Sequence, residues 1–173
     1  MFAKETYTTR RNSLKKSLGT GLLLFLGNEE SGMNYEDNTY HFRQDSTFLY
    51  FFGLPYAGLA AIIDVDEDKE IIFGDELTMD HIVWMGIQPA LCEKAQVGVT
   101  ETRPAADLKK YLEKAVAKRQ VIHYLPVYRA EHRLKLLDWL DIKLGMEQPS
   151  VPFIRGVVNM RNYKTAEELV EIE

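Results

Sequence analysis

The chain has 173 residues, enough for one domain with a substantial core, and 46% apolar with 27% charged residues is the balance of an ordinary globular protein. Its net charge of −5 argues against a nucleic-acid partner, and its longest apolar run, residues 22–26, is far too short to cross a bilayer. It opens on no signal-peptide pattern, and its single cysteine, Cys92, leaves no internal disulfide, so a reducing, cytoplasmic setting is expected.

In chain order, residues 8–18 predict a helix, with Leu14 and Leu18 four apart on one face. Arg10, Arg11, Lys15 and Lys16 are expected on its solvated side. Residues 21–27 form a continuous apolar run between glycines and predict a buried strand. Residues 59–66 and 69–73 predict a hairpin, turning through Asp66, Glu67 and Asp68. A short helix over 78–85, a further turn or two of helix over 89–95 and a short strand over 97–103 follow. Residues 104–118 predict a helix with Pro104 at its first position. A strand over 120–125, a helix over 130–143 and a shorter helix from 150 to about 161 complete the series. Strands alternating with helices predict an α/β fold. The hairpin makes its sheet mixed, with helices on both faces.

Residues 34–54 carry the most information. They hold four Phe and three Tyr beside Asp37, His41, Arg43 and Asp45. Tyr40 and Phe42 read as an extended arm, and residues 47–52 as a short helix. Asp45 or Ser46 suits its N-cap, and Gly53 its C-terminal stop. Arg43 and Asp45 stand close enough for a local ion pair. The plain assignment for Arg43 and Gln44 is to satisfy backbone groups around the aromatic helix; the functional one is to shape a peptide pocket. Trp84 fits either a core or a ligand platform.

Other chemistry finds little support. His41, His81, His123 and His132 show no ligand spacing, and the acidic run 64–68 lacks the glycine and the twelfth-position Glu of a calcium loop. No G-x-S-x-G and no glycine-rich phosphate loop is present. Glu93 beside Cys92 works against a reactive thiolate.

The phrase F-R-Q-D-S-T-F-L-Y-F-F-G-L resembles the signature of the N-terminal domain of the Xaa-Pro aminopeptidase (aminopeptidase P), prolidase and creatinase family. Arg43, Gln44, Ser46, Phe48, Tyr50 and Gly53 keep its order and spacing, with Asp45 inside it. Residues 83–86, V-W-M-G, resemble the family's I-W-x-G. Residues 160–169, M-R-N-Y-K-T-A-E-E-L, resemble its M-R-x-x-K-S-x-x-E-I junction.

The resemblance implies a ribonuclease-H-like N-terminal domain over 1–163. Residues 164–173 would start a linker helix into a catalytic domain of the same protein. That helix carries the T-x-x-E form of a capping box and an apolar stripe barely begun, which also suggests a fragment ending just past a domain boundary. The implied parent is a metallopeptidase that removes the residue ahead of proline. Its two divalent metals, expected to be manganese, lie in the catalytic domain, with none in this fragment, which alone is expected to be inactive. The implied partners are that domain, proline-containing peptides and further copies in a dimer or tetramer, with no nucleic acid and no membrane. Asp37, His41 and Trp84 are expected to line a neighbouring subunit's substrate cleft, with Glu36 able to take the place of Asp37. A prolidase-type dipeptidase and a non-enzymatic peptide-binding module on the same fold remain the alternatives.

Overall fold

Leu22–Leu26 (β1) is apolar at every position, and such a strand is stable only where both faces of its sheet are covered. The computed structural model describes residues 2–35, 37–75, 93 and 95–172, and places β1 inside a five-stranded sheet. The remaining strands are Ala60–Asp64 (β2), Lys69–Phe73 (β3), Glu101–Arg103 (β4) and Ile122–Tyr124 (β5), in the order β4-β3-β2-β1-β5. The hairpin β2–β3 is antiparallel, with Ile62 opposite Ile71, and β2 pairs antiparallel with β1. Parallel strands close the two edges, β5 on β1 and β4 on β3. The sheet is therefore mixed, as the hairpin requires.

Alternation along the strands divides the core in two. Leu23, Phe25, Ala61, Ile63 and Ile72 face one side, where they meet Lys4–Leu18 (α1), Ser46–Phe52 (α2) and Val151–Asn162 (α5). Leu22, Leu24, Ile62, Ile71 and Phe73 face the other, under Ala106–Ala117 (α3) and Ala130–Leu140 (α4). A last helix, Ala166–Ile172 (α6), buries none of its residues. No helix among the described residues is long and apolar enough to cross a membrane.

Besides Pro104, which stands two residues before its helix and not at its first position, three expectations change in detail. The strand over 97–103 is shorter, because residues 95–97 turn as a 3-10 helix before β4 begins. The helix over 130–143 stops at Leu140, where Asp141 takes a left-handed conformation (φ 53°). The third change concerns charge. Arg10 and Arg11 are not solvated but 5% and 0% exposed, because they fall on the same stripe of α1 as Tyr7 and Leu14. The expected helix over 78–85 and most of that over 89–95, with Glu36, His81, Trp84 and Cys92, lie outside the described residues.

Candidate functional site

The arm begins where β1 ends. A Cβ on Gly27 would stand 2.4 Å from the Leu59 carbonyl oxygen, so only glycine fits as the chain turns away. Gln44 then fastens the base of the arm. Its Oε1 accepts from the Asn28 and Asp45 N–H groups at 2.7 and 2.9 Å, and its Nε2 donates to the Tyr56 carbonyl at 2.6 Å. The Gln44 side chain itself is only 3% exposed. Gln44 thus satisfies backbone groups around the aromatic helix, as its plain assignment has it.

Between these points the chain forms a small projecting hairpin. Gly32 bridges Thr39 antiparallel, Met33 N–H donates to the Asn38 carbonyl at 2.7 Å, and Tyr40 N–H donates to the Ser31 carbonyl at 2.9 Å. Asp37 is exposed at its turn and His41 is exposed at its root. Met33, Tyr35 and Tyr40 are all more than half exposed on the same projection. Asp37, His41 and these apolar side chains are thus exposed on one segment. Whether Trp84 joins them lies outside the described residues.

The helix that follows is built as its sequence predicts. Asp45 Oδ1 accepts from both the Thr47 and the Phe48 N–H at 2.9 Å, and Ser46 is the first helical residue. The expected ion pair between Arg43 and Asp45 does not form. The cap occupies one Asp45 oxygen, Tyr128 donates to the other, and Arg43 is exposed without an ion pair among the described residues. Phe48, Phe51 and Phe52 are fully buried, and Phe25 takes the rings of Phe51, Phe52 and Phe153 at 5.1–5.3 Å. Gly53 ends the helix at φ 66°, and a Cβ there would lie 2.3 Å from the Tyr7 ring.

The residues that sequence reasoning misses are the buried cations of α1. Arg11 Nε donates to Glu70 Oε2 at 2.6 Å, and its other nitrogens donate to the Phe51 and Val97 carbonyls at 2.9 Å. Lys15 reaches the second Glu70 oxygen at 2.9 Å. Burial lowers the Arg11 pKa, though the guanidinium keeps its charge. Burial also pulls on Lys15, but its bonds to Glu70 and Asp68 outweigh that and hold its pKa up. Helical spacing from Tyr7 to Leu14 is the signal that finds them.

The acidic turn is structural, as its sequence suggests. Asp64 accepts from Tyr111, Gln120 and the Glu67 N–H, and Asp66 from Thr20, the Gly21 N–H and Gln120. Among the described residues, no three His, Cys, Asp or Glu side chains gather to hold a metal ion, so no chemical step is assigned to one here. A cleft of about 340 Å³ opens beyond the C-terminal ends of β1 and β5, lined in part by Asp45, Tyr128, His132 and Arg161. His132 hydrogen-bonds the Gly27 carbonyl through Nε2 at 3.0 Å, and Arg161 donates to Thr47 Oγ1 at 3.2 Å. These groups tie elements together.

Known proteins agree with this architecture. The family model of the aminopeptidase P N-terminal domain matches residues 7–123. The Xaa-Pro dipeptidase of Homo sapiens is 35% identical over 65 residues, which is 38% of this chain and 13% of that protein. A probable Xaa-Pro aminopeptidase of Metarhizium acridum is 27% identical over 120 residues, 66% of this chain and 24% of that protein. Among solved structures, a zinc-substituted aminopeptidase P from E. coli in complex with product covers 98% of this chain, with a TM-score of 0.77 and 18% identity. This chain covers 41% of that structure, and a quarter or less of the two curated relatives. The signature around α2, the mixed sheet and the family match lead to one conclusion: this chain belongs to the family of aminopeptidase P N-terminal domains.

Proposed function

We propose that the chain is the N-terminal domain of a metal-dependent Xaa-Pro aminopeptidase, and that its own task is to help assemble the oligomer and shape the substrate cleft. The observation that carries this is the family match over residues 7–123, joined to a fold shared with aminopeptidase P over 98% of the chain. In this proposal residues 1–163 are the non-catalytic domain, and residues 164–173 begin the linker into the catalytic one. Two divalent metals, with manganese preferred, belong to that catalytic domain. A prolidase-type dipeptidase is the second proposal, favoured by the 35% identity to the human Xaa-Pro dipeptidase.

The arm supports the substrate-shaping role. An exposed carboxylate, Asp37, stands on a projection with exposed Met33, Tyr35 and Tyr40. Apolar side chains rimmed by polar groups are the composition of an interface. In a neighbouring copy's cleft, the carboxylate would take a peptide's free amino group, and the Trp84 ring an apolar side chain or proline. His41 would stand beside them.

The test is steady-state kinetics on the full-length enzyme with Xaa-Pro peptides. Asp37→Ala should weaken binding by about 1–3 kcal/mol, the range for a charged hydrogen bond, which raises the Michaelis constant roughly 5- to 150-fold, and Trp84→Ala should raise it too. Bound metal and oligomer size should not change. Wild-type kinetics in both variants would reduce the arm to a structural role. Residues 1–173 alone, with manganese added, should release no amino acid above a metal blank.

A further inference from the structure

Arg10 is a charged side chain only 5% exposed, a placement that is costly unless the charge is paired. Its NH1 donates to the Tyr50 carbonyl at 2.8 Å. Its guanidinium lies 4.0 Å from the Tyr50 ring centre, 4.8 Å from that of Phe2 and 5.8 Å from that of Tyr7. Among the described residues, the anion that meets it is Glu168 of α6, with NH2 3.1 Å from Oε1 in a charge contact outside hydrogen-bond geometry; Arg10 Nε and NH2 make no hydrogen bond.

Glu168 divides its two oxygens between two tasks. Oε2 accepts from the Thr165 N–H at 2.8 Å, and Thr165 Oγ1 accepts from the Glu168 N–H at 3.3 Å. That reciprocal pair is a formed capping box. Oε1 faces Arg10. One carboxylate thus starts the helix and ties it to the domain.

Among the described residues, burial does little to fix the direction of α6. It has seven residues and buries none of them, and Leu169, Val170 and Ile172 are 51%, 77% and 67% exposed. A helix this short is marginal without tertiary support. The base of the tie, by contrast, is firm. Tyr50 belongs to α2, its hydroxyl donates to the Met160 carbonyl near the end of α5, and Arg161 lies 5.8 Å from its ring.

We infer that the Arg10–Glu168 ion pair, seated on Tyr50, is a fixed joint that sets the direction in which the chain leaves the domain. It aims the apolar stripe of α6 in the frame of α1 and α2. The joint rests on the proposed linker role of residues 164–173, and not on which peptide the parent enzyme cleaves or on whether the arm enters a neighbour's cleft.

Spin-label distances test it directly. With Cys92→Ser as background, Asn12→Cys on α1 and Val170→Cys on α6 carry nitroxides, and pulsed dipolar spectroscopy reads their separation. The parent pair should give one narrow distance. Glu168→Gln keeps a capping side chain but removes the charge; its narrow distance should be lost, with the melting curve still cooperative. Arg10→Met, which keeps an apolar stem against the rings, should lose it too. A narrow, unchanged distance in either folded variant would overturn the joint. So would broadening seen only in Glu168→Ala, because the capping box would then hold the helix and the ion pair would not.

Discussion

Replacing Arg11 by Met tests the buried charge that organises α1 against the sheet. Arg11 is 0% exposed and supplies donors to three acceptors: Glu70 Oε2, the Phe51 carbonyl and the Val97 carbonyl. Met keeps much of the stem and none of the donors. Removing one partner of a buried ion pair costs about 3–5 kcal/mol, and an orphaned buried carbonyl about 1–3 kcal/mol. Lys15, at 2.9 Å from Glu70 Oε1, leaves that carboxylate one cation and pulls the total down. A net loss of about 4 kcal/mol follows. At roughly 2–4 °C per kcal/mol for a chain of this size, the melting temperature should fall by roughly 8–16 °C. Urea unfolding followed by circular dichroism measures the loss at unchanged m. Arg11→Met with Glu70→Leu should recover part of it, because no buried carboxylate then lacks its main partner. A loss below about 1 kcal/mol in Arg11→Met, judged against that expected range, would refute the reasoning.

Two further outcomes follow from local geometry. Gly53→Ala should cost at least about 1 kcal/mol, because a left-handed backbone disfavours a Cβ and this one would meet the Tyr7 ring at 2.3 Å; equal midpoints in urea would contradict it. Stability should also fall as the solution is acidified below about pH 6.5. Burial first, and Lys135 after it, hold the His132 pKa below its ordinary 6.5, against the opposing Gly27 carbonyl, Glu131 and Asp45. The unfolded chain then binds more protons in that window, so stability is present above 6.5 and is lost as pH falls toward the folded pKa. His123 is lowered by burial too and adds to the slope. His132→Gln should flatten the dependence below about pH 6.5, and an unchanged slope would remove His132 from the account.

The strands were legible because their chemistry admits few placements. Leu22–Leu26 is apolar throughout, and so belongs in the middle of a covered sheet. The aromatic helix was legible from its ends, Asp45 and Gly53, which act through the bonds their residue types favour. The ion pair between Arg43 and Asp45 was a false inference from nearness in sequence. A carboxylate at a helix start has two N–H groups within reach of one oxygen, and here Tyr128 takes the other. Arg10 and Arg11 misled for a different reason. Charge suggests exposure, whereas position on the stripe with Tyr7 and Leu14 decides burial. Their partners, Glu70 and Glu168, lie far along the chain, and no local pattern announces them.

The structure also gives a physical reason for the two strongest motifs to occur in one chain. The arm phrase and the junction phrase are separated by more than a hundred residues, yet they touch. Arg161 of the junction donates to Thr47 of the arm helix, and the Met160 carbonyl accepts from Tyr50 across 110 positions. Arg10 then links the carbonyl and ring of Tyr50 to Glu168. A helix whose buried face fills the core thus presents its remaining tyrosine as the platform for α6. Because α2 is anchored at its start by Gln44 and Asp45, the base of the arm and the base of α6 share one element. A change at Tyr50 therefore reaches α6 through two contacts, and a change at Gln44 reaches the arm through its bond to the Asn28 N–H.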